Sequence, residues 1–191
     1  MKKSAFIKFA SLAVAGLLSQ GAFAADGTIN FTGEITDALC SVSPSSQNLT
    51  VPLGKVSRNV FGIRPAVGTT PAVNNATVGT KSTPAKFSID LLGCGASATG
   101  ATVTFTGPTD AVVATALRVG AGEVNGGFAR GVAIELGDSS GKKIDVGSPS
   151  GEYILTPGDN SLKFQAAYVA TLPGVTAGPA NGSAQFTIAY K

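Results

Sequence analysis

Apolar and polar residues alternate with a period of two near the start of the chain and again at its end. In residues 27–36, Ile29, Phe31, Gly33 and Ile35 fall on one face and Thr28, Asn30, Thr32 and Glu34 on the other, the signature of a half-buried strand. Residues 184–191 repeat the pattern, with Phe186, Ile188 and Tyr190 alternating with Gln185, Thr187 and Ala189. Between them lie further short runs of strand character: 38–42 carrying Cys40, 49–53, 86–92 leading into Cys94, 101–106, 116–119, 131–136, 152–155 and 161–170. Turns are predicted at 44–48, at Asp138-Ser139-Ser140-Gly141 and at Pro157-Gly158-Asp159-Asn160, where Gly, Pro, Asn and Asp cluster. Pro52 cannot donate to a ladder, which assigns 49–53 to an edge or bulge. Residues 57–83 hold two Pro, three Gly and many Thr and Ser. They read as a long surface excursion with one weak strand near 73–78, of a length that is uncommon without a function. Residues 171–183 form a Pro/Gly/Ala-rich connection to the last strand, and neither an internal repeat nor a long amphipathic helix is evident.

Short strands punctuated by Gly, Pro and Asn define an all-β chain, and their number and spacing fit an immunoglobulin-like sandwich. The buried Trp of antibody domains is missing, because the chain has no Trp.

The first 24 residues change the charge picture. Lys2 and Lys3, the apolar run over 9–18 and Ala22-Phe23-Ala24 form a secretory leader. Ten apolar residues are too few to span about 30 Å of hydrocarbon. Three of the fourteen Lys and Arg lie in the leader, so the exported chain carries eleven charges of each sign. The sequence pI near 9.0 belongs to the precursor. A balanced charge leaves no basic footprint for nucleic acid. The exported chain of 167 residues is one domain's worth and sufficient for a core. A strand that begins such a chain with no fixed partner is free to pair with another molecule.

Candidate chemistry is sparse. There is no His, which removes the commonest general base and every Ser-His or Cys-His nucleophile. Two cysteines in an exported protein point to one disulfide, Cys40 with Cys94, rather than to a zinc site, which two thiolates alone rarely hold. No catalytic residue, cofactor or metal is expected. The acidic pairs Glu34 with Asp37 and Asp138 with Asp145 read as solvated turn residues, and no calcium loop is spaced among them. Gly120-Ala121-Gly122 followed by Gly126-Gly127 lacks the Gly-Lys-Ser/Thr ending of a phosphate loop and reads as a hairpin connection.

Several motifs together resemble one family. Gly33-Glu34-Ile35, Ala38-Leu39-Cys40-Ser41-Val42, Leu53-Gly54-Lys55-Val56, Phe87-Ser88-Ile89-Asp90-Leu91 ahead of Cys94, and Phe164-Gln165-Ala166-Ala167-Tyr168 resemble the pilin subunits of chaperone–usher fimbriae, the type 1 major-subunit family in particular. Tyr190 is penultimate and Gly178 is fourteenth from the C-terminus, matching that family's C-terminal motif. The resemblance implies an immunoglobulin-like sandwich that lacks its last strand and is completed by a donor strand from a neighbouring subunit. It implies a leader over 1–24, a donor extension over 25–37 and a pilin domain over 38–191. Ile29, Phe31, Gly33 and Ile35 fall on the groove-filling donor positions. Gly178, Phe186, Ile188, Tyr190 and Lys191 fall on the groove strand and its chaperone-recognised motif. The implied partners are identical or related subunits, a periplasmic chaperone and an outer-membrane usher, and the implied destination is a surface fimbria used in adhesion. Residues 57–83 are longer than the corresponding connection in that family.

Three function classes follow. The first is a structural pilin, of the shaft or as a minor adaptor. The second is a secreted carbohydrate-binding sandwich, disfavoured because sugar sites favour aromatic platforms and the chain has no Trp and only three Tyr. The third is an exported enzyme, disfavoured by the absence of His.

Overall fold

The computed structural model describes Thr32, residues 39–121 and residues 127–191. The leader, and the predicted donor residues Ile29, Phe31, Gly33 and Ile35, lie outside the described residues. Eleven short elements follow in chain order: β1 (Ser41–Val42), α1 (Pro44–Gln47), a 3-10 turn (Arg58–Phe61), β2 (Ala85–Cys94), β3 (Gly100–Thr106), β4 (Leu117–Arg118), β5 (Val132–Asp138), β6 (Lys143–Ile144), β7 (Tyr153–Ile154), β8 (Gly158–Ala170) and β9 (Gln185–Tyr190).

The strands form two sheets. One has the order β1-β2-β8-β5-β4, with β6 also on β5; the other has the order β7-β3-β9. Every ladder is antiparallel. Alternation places Ile89 and Leu91 of β2, Leu162 and Phe164 of β8, and Ala101, Val103 and Phe105 of β3 in the interior. The two sheets meet through an aromatic cluster. Phe105 lies edge-on to Phe164 at 5.1 Å and to Phe87 at 6.3 Å, and Phe87 stacks on Phe164 at 5.5 Å. Offset and edge-to-face contacts of this kind add about 0.5–1.5 kcal/mol per pair beyond area burial.

The disulfide joins Cys40 to Cys94 and so ties the segment entering β1 to the end of β2. Gly93, with φ of 61°, relieves a register shift between Leu91 and Cys94 opposite β8.

Several predicted elements shift in kind or extent. The turn at 44–48 is a single helical turn, opened by Pro44, whose buried Ser46 hydroxyl accepts from the Asp90 amide at 2.9 Å. Proline is pre-organised for that first helical position. The turn expected at 157–160 is moved back: Gly158 already pairs with Cys94, and the Asn160 amide group donates to Thr156 O at 2.7 Å and accepts from Thr156 N at 3.0 Å. The stretch 49–53 joins no ladder, although Val51 and Leu53 are half-buried between exposed neighbours as a strand would place them.

The excursion 57–83 has more structure than its composition predicts. Ser57 Oγ caps the 3-10 turn by accepting from Asn59 N. Arg64 bridges Val73 and Val67 bridges Thr70, which makes a narrow hairpin in place of a strand at 73–78. Phe61, Ile63 and Ala76 are buried and clamp its base, and Gly79 N donates to Ala170 O at the finish of β8.

Closing the 54-residue separation constrains the unfolded chain by about 4 kcal/mol in the loop-entropy account. Replacing both cysteines, Cys40→Ser with Cys94→Ser, is expected to lower unfolding stability by about 2–5 kcal/mol. Urea titration followed by tyrosine fluorescence checks this, and an unchanged midpoint would remove the structural role of the bond.

Candidate functional site: an open groove beside the last strand

Strand β9 pairs with β3 in unbroken register from Ala101 opposite Tyr190 to Thr106 opposite Gln185. Its other edge has no strand beside it among the described residues. The consequence shows in burial. Val103 and Phe105 of β3 are sealed, whereas Phe186, Ile188 and Tyr190, one strand further out on the same face, are only half covered. The backbone amides and carbonyls along an unpaired edge remain available for another strand.

Beside that edge runs a groove of about 1170 Å³. One wall is β9 from Gln185 to Thr187 with the preceding residues 180–184, and the other is the unpaired stretch 47–54. The floor is apolar: Phe87, Ile89, Leu117, Ile134, Leu136 and Ala166. Tyr168 also lines it, and its hydroxyl donates to Ala180 O at 2.9 Å, which fixes the end of the last connection ahead of β9.

The two ends of the groove differ. At the C-terminal end of β9, Tyr190 Oη donates to Cys40 O at 3.5 Å, beside the disulfide. Lys191 donates its amide to Gly100 O at 2.8 Å and accepts from Thr99 N at 2.9 Å, so the ladder continues through the last residue. Its ammonium pairs with Glu152 at 2.6 Å. At the other end Gln185 lies opposite Thr106, and wall residue Gly54 leads through Lys55 to the 3-10 turn.

The structure therefore brings together Phe186 and the groove, and it sets Ile188 and Tyr190 on the same face nearer the disulfide. Gly178 stands apart, in the connection before β9. A Cβ there would lie 2.7 Å from Ala129 N and 2.8 Å from Gly127 O. Its role in this fold is close backbone approach. Sequence reasoning missed the wall at 47–54 as a wall, and it missed Leu117 and Ile134 as floor.

Burial shifts the three tyrosines upward. Tyr153, whose hydroxyl donates to Lys163 O at 2.8 Å, is pushed up to about 12, mainly by burial and secondarily by the charge of Asp138. Burial likewise raises Tyr168 and Tyr190. Asp138 is lowered, chiefly by the Ser140 hydroxyl that donates to it. Among the described residues no cluster of three or more acidic, Cys or His side chains could hold a metal ion. The arrangement offers a strand-shaped apolar slot with a bare backbone edge.

An immunoglobulin-like sandwich with such a slot defines the structural class, and comparison with known proteins defines the family. The fimbrial protein family model matches residues 29–191, and the chain belongs to that family. Long polar fimbria protein A of Salmonella typhimurium is 36% identical over 195 residues, spanning 100% of this chain and 98% of that protein. Among solved structures, a type I fimbria protein and antigen of Burkholderia pseudomallei is 38% identical, with a TM-score of 0.57, covering 86% of this chain and 97% of that one. A chaperone–usher pilus structure, solved to explain rod uncoiling, is 25% identical with a TM-score of 0.65, covering 87% and 96%. The protein is a pilin subunit of surface fimbriae, and its relatives are structural fimbrial subunits.

The tyrosine shifts set an alkaline limit. Below pH 10 the Tyr153 phenol is protonated folded and unfolded, and its contribution is intact. Between pH 10 and about 12 only the unfolded chain loses the proton, so stability falls with rising pH. Tyr153→Phe is expected to flatten that decline, read as urea midpoints from pH 9 to 12; parallel curves would mean that the buried phenol does not govern it. Gly178→Val is expected to cost more than 2 kcal/mol by forcing apart residues 127–129 and 178, measured in the same titration.

Proposed function

We propose that this is a shaft-forming pilin whose groove accepts residues 25–37 of the next copy. The observation that carries this reading is the apolar groove beside the bare edge of β9. An added strand would satisfy backbone groups on β9, and each ladder hydrogen bond contributes about 1 kcal/mol net. Ile29, Phe31 and Ile35 would settle on the floor, each contributing about 1.5–3 kcal/mol. Gly33 interrupts the row, as a donor strand would where its backbone approaches the floor closely. This is recognition by strand addition.

The contact is heterologous: the donor lies at one end of the chain and the acceptor is the body of another. Such contacts do not close on themselves and generate a filament. A periplasmic chaperone fills the groove before assembly. It recognises Phe186, Ile188 and Tyr190 with the C-terminal motif from Gly178, and it holds the carboxylate of Lys191 through basic residues. An outer-membrane usher then exchanges chaperone for donor. The role is structural rather than catalytic, and adhesion belongs to the finished fibre.

Phe31→Lys places a charge where the apolar floor must be filled. It is expected to leave the subunit soluble with its chaperone and unable to form fibres, judged by electron microscopy and sedimentation; normal fibres would remove the donor assignment. Deleting Tyr190 and Lys191 is expected to abolish co-purification with the chaperone, and retained binding would remove the C-terminal recognition.

A further inference from the structure

Charge is distributed unevenly along the first half of the exported chain. Residues 25–54 contain Asp26, Glu34 and Asp37 and no Lys or Arg. Residues 55–86 contain Lys55, Arg58, Arg64, Lys81 and Lys86 and no Asp or Glu. Cleavage after Ala24 leaves an α-amino group beside Asp26, which offsets that carboxylate. The uncompensated negative charge of the extension is therefore at its C-terminal end, on Glu34 and Asp37.

The groove is polarised in the complementary way. At its disulfide end, Lys191 is already paired with Glu152. At its other end, Lys55 directly follows wall residue Gly54, and the 3-10 turn carries Arg58. Arg64 follows at the base of the hairpin. All three are exposed, and among the described residues none is in an ion pair, whereas Lys81 is paired with Glu135.

We propose that Lys55, Arg58 and Arg64 form a basic rim that receives Glu34 and Asp37 of the incoming copy, and that this pairing speeds the encounter of extension and groove. The inference rests on the donor–acceptor reading above and adds its electrostatic steering. With Glu34 and Asp37 at the rim, the extension runs opposite to β9, its start toward the disulfide. A chain cannot satisfy this arrangement with its own extension. Asp37 lies three residues before Cys40, a reach of about 10 Å. Cys40 sits at the far end of the groove, beside Tyr190, and β9 alone is about 17 Å long. The rim therefore selects a second copy. Opposite charges across a forming interface act chiefly on the association rate and on register, and salt screens them.

The test follows polymerisation of the exported protein, residues 25–191, by light scattering at low and at 1 M salt. Lys55→Glu with Arg58→Glu is expected to slow fibre growth about tenfold at low salt. The difference should shrink to about twofold at 1 M, where the screening length is about 3 Å. Adding Glu34→Lys and Asp37→Lys to the same chain should restore the rate. Failure of that restoration, or a rate independent of the rim charges, would overturn the proposal. A geometric check does not depend on rates. Asp37→Cys combined with Lys55→Cys should give a ladder of covalently linked multimers from fibres on a non-reducing gel, and Asp37→Cys with Glu152→Cys should not. The opposite outcome would reverse the polarity and refute the rim. Phe31→Lys run alongside separates the two ideas: if it assembles normally the groove reading falls, and if it alone blocks assembly while the rim variants behave as wild type only the rim falls.

Discussion

The whole arrangement depends on one unmet pairing. A strand has two edges, and β9 uses one of them on β3. Its other edge would be paired in a complete sandwich by a further strand of the same sheet. Three strands face a sheet of six, and Leu117, Ile134 and Leu136 of the larger sheet, themselves buried in the core, form the floor of the groove beside β9. The half-covered side chains of β9, the unladdered wall at 47–54 and the groove between them are one feature seen from three sides.

Such a gap is tolerable only if the rest of the domain is held firmly. The aromatic cluster of Phe87, Phe105 and Phe164 binds the two sheets at their centre, and the disulfide fixes one end of the groove by joining the entry to β1 with the end of β2. At the same end the last residue stays in register with Gly100 and Thr99. The acceptor is thus pre-organised along its length, which lowers the ordering cost of adding a strand.

Much of this was legible in the chain. Period-two alternation located β2, β3, β8 and β9, because each packs one face on a core and presents the other outward. Two cysteines and a leader implied the disulfide. The groove was not legible from pattern, since its walls come from residues 47–54 and 180–187, distant in sequence and related only by topology. Residues 49–53 alternate as a strand should, yet join no ladder among the described residues and serve instead as a wall of the groove. The turn at 157–160 was displaced because Gly158 is drawn into pairing with Cys94 beyond the bulge. The excursion misled for a different reason: Phe61 and Ile63 reach the core from a stretch with no periodicity, and isolated anchors leave no repeating signal.

Those anchors have a consequence for how such a protein diversifies. Phe61, Ile63 and Ala76 secure the base of the hairpin, while Val67 at its tip is 71% exposed. Changes in length at the tip carry only the slow logarithmic cost of loop closure, about 0.6 kcal/mol for each doubling. The tip can therefore change in length and sequence at little cost while the buried anchors hold its base. In an assembled fibre each variant sequence is repeated once per subunit, which makes the same hairpin a natural insertion point for multivalent display of a foreign epitope.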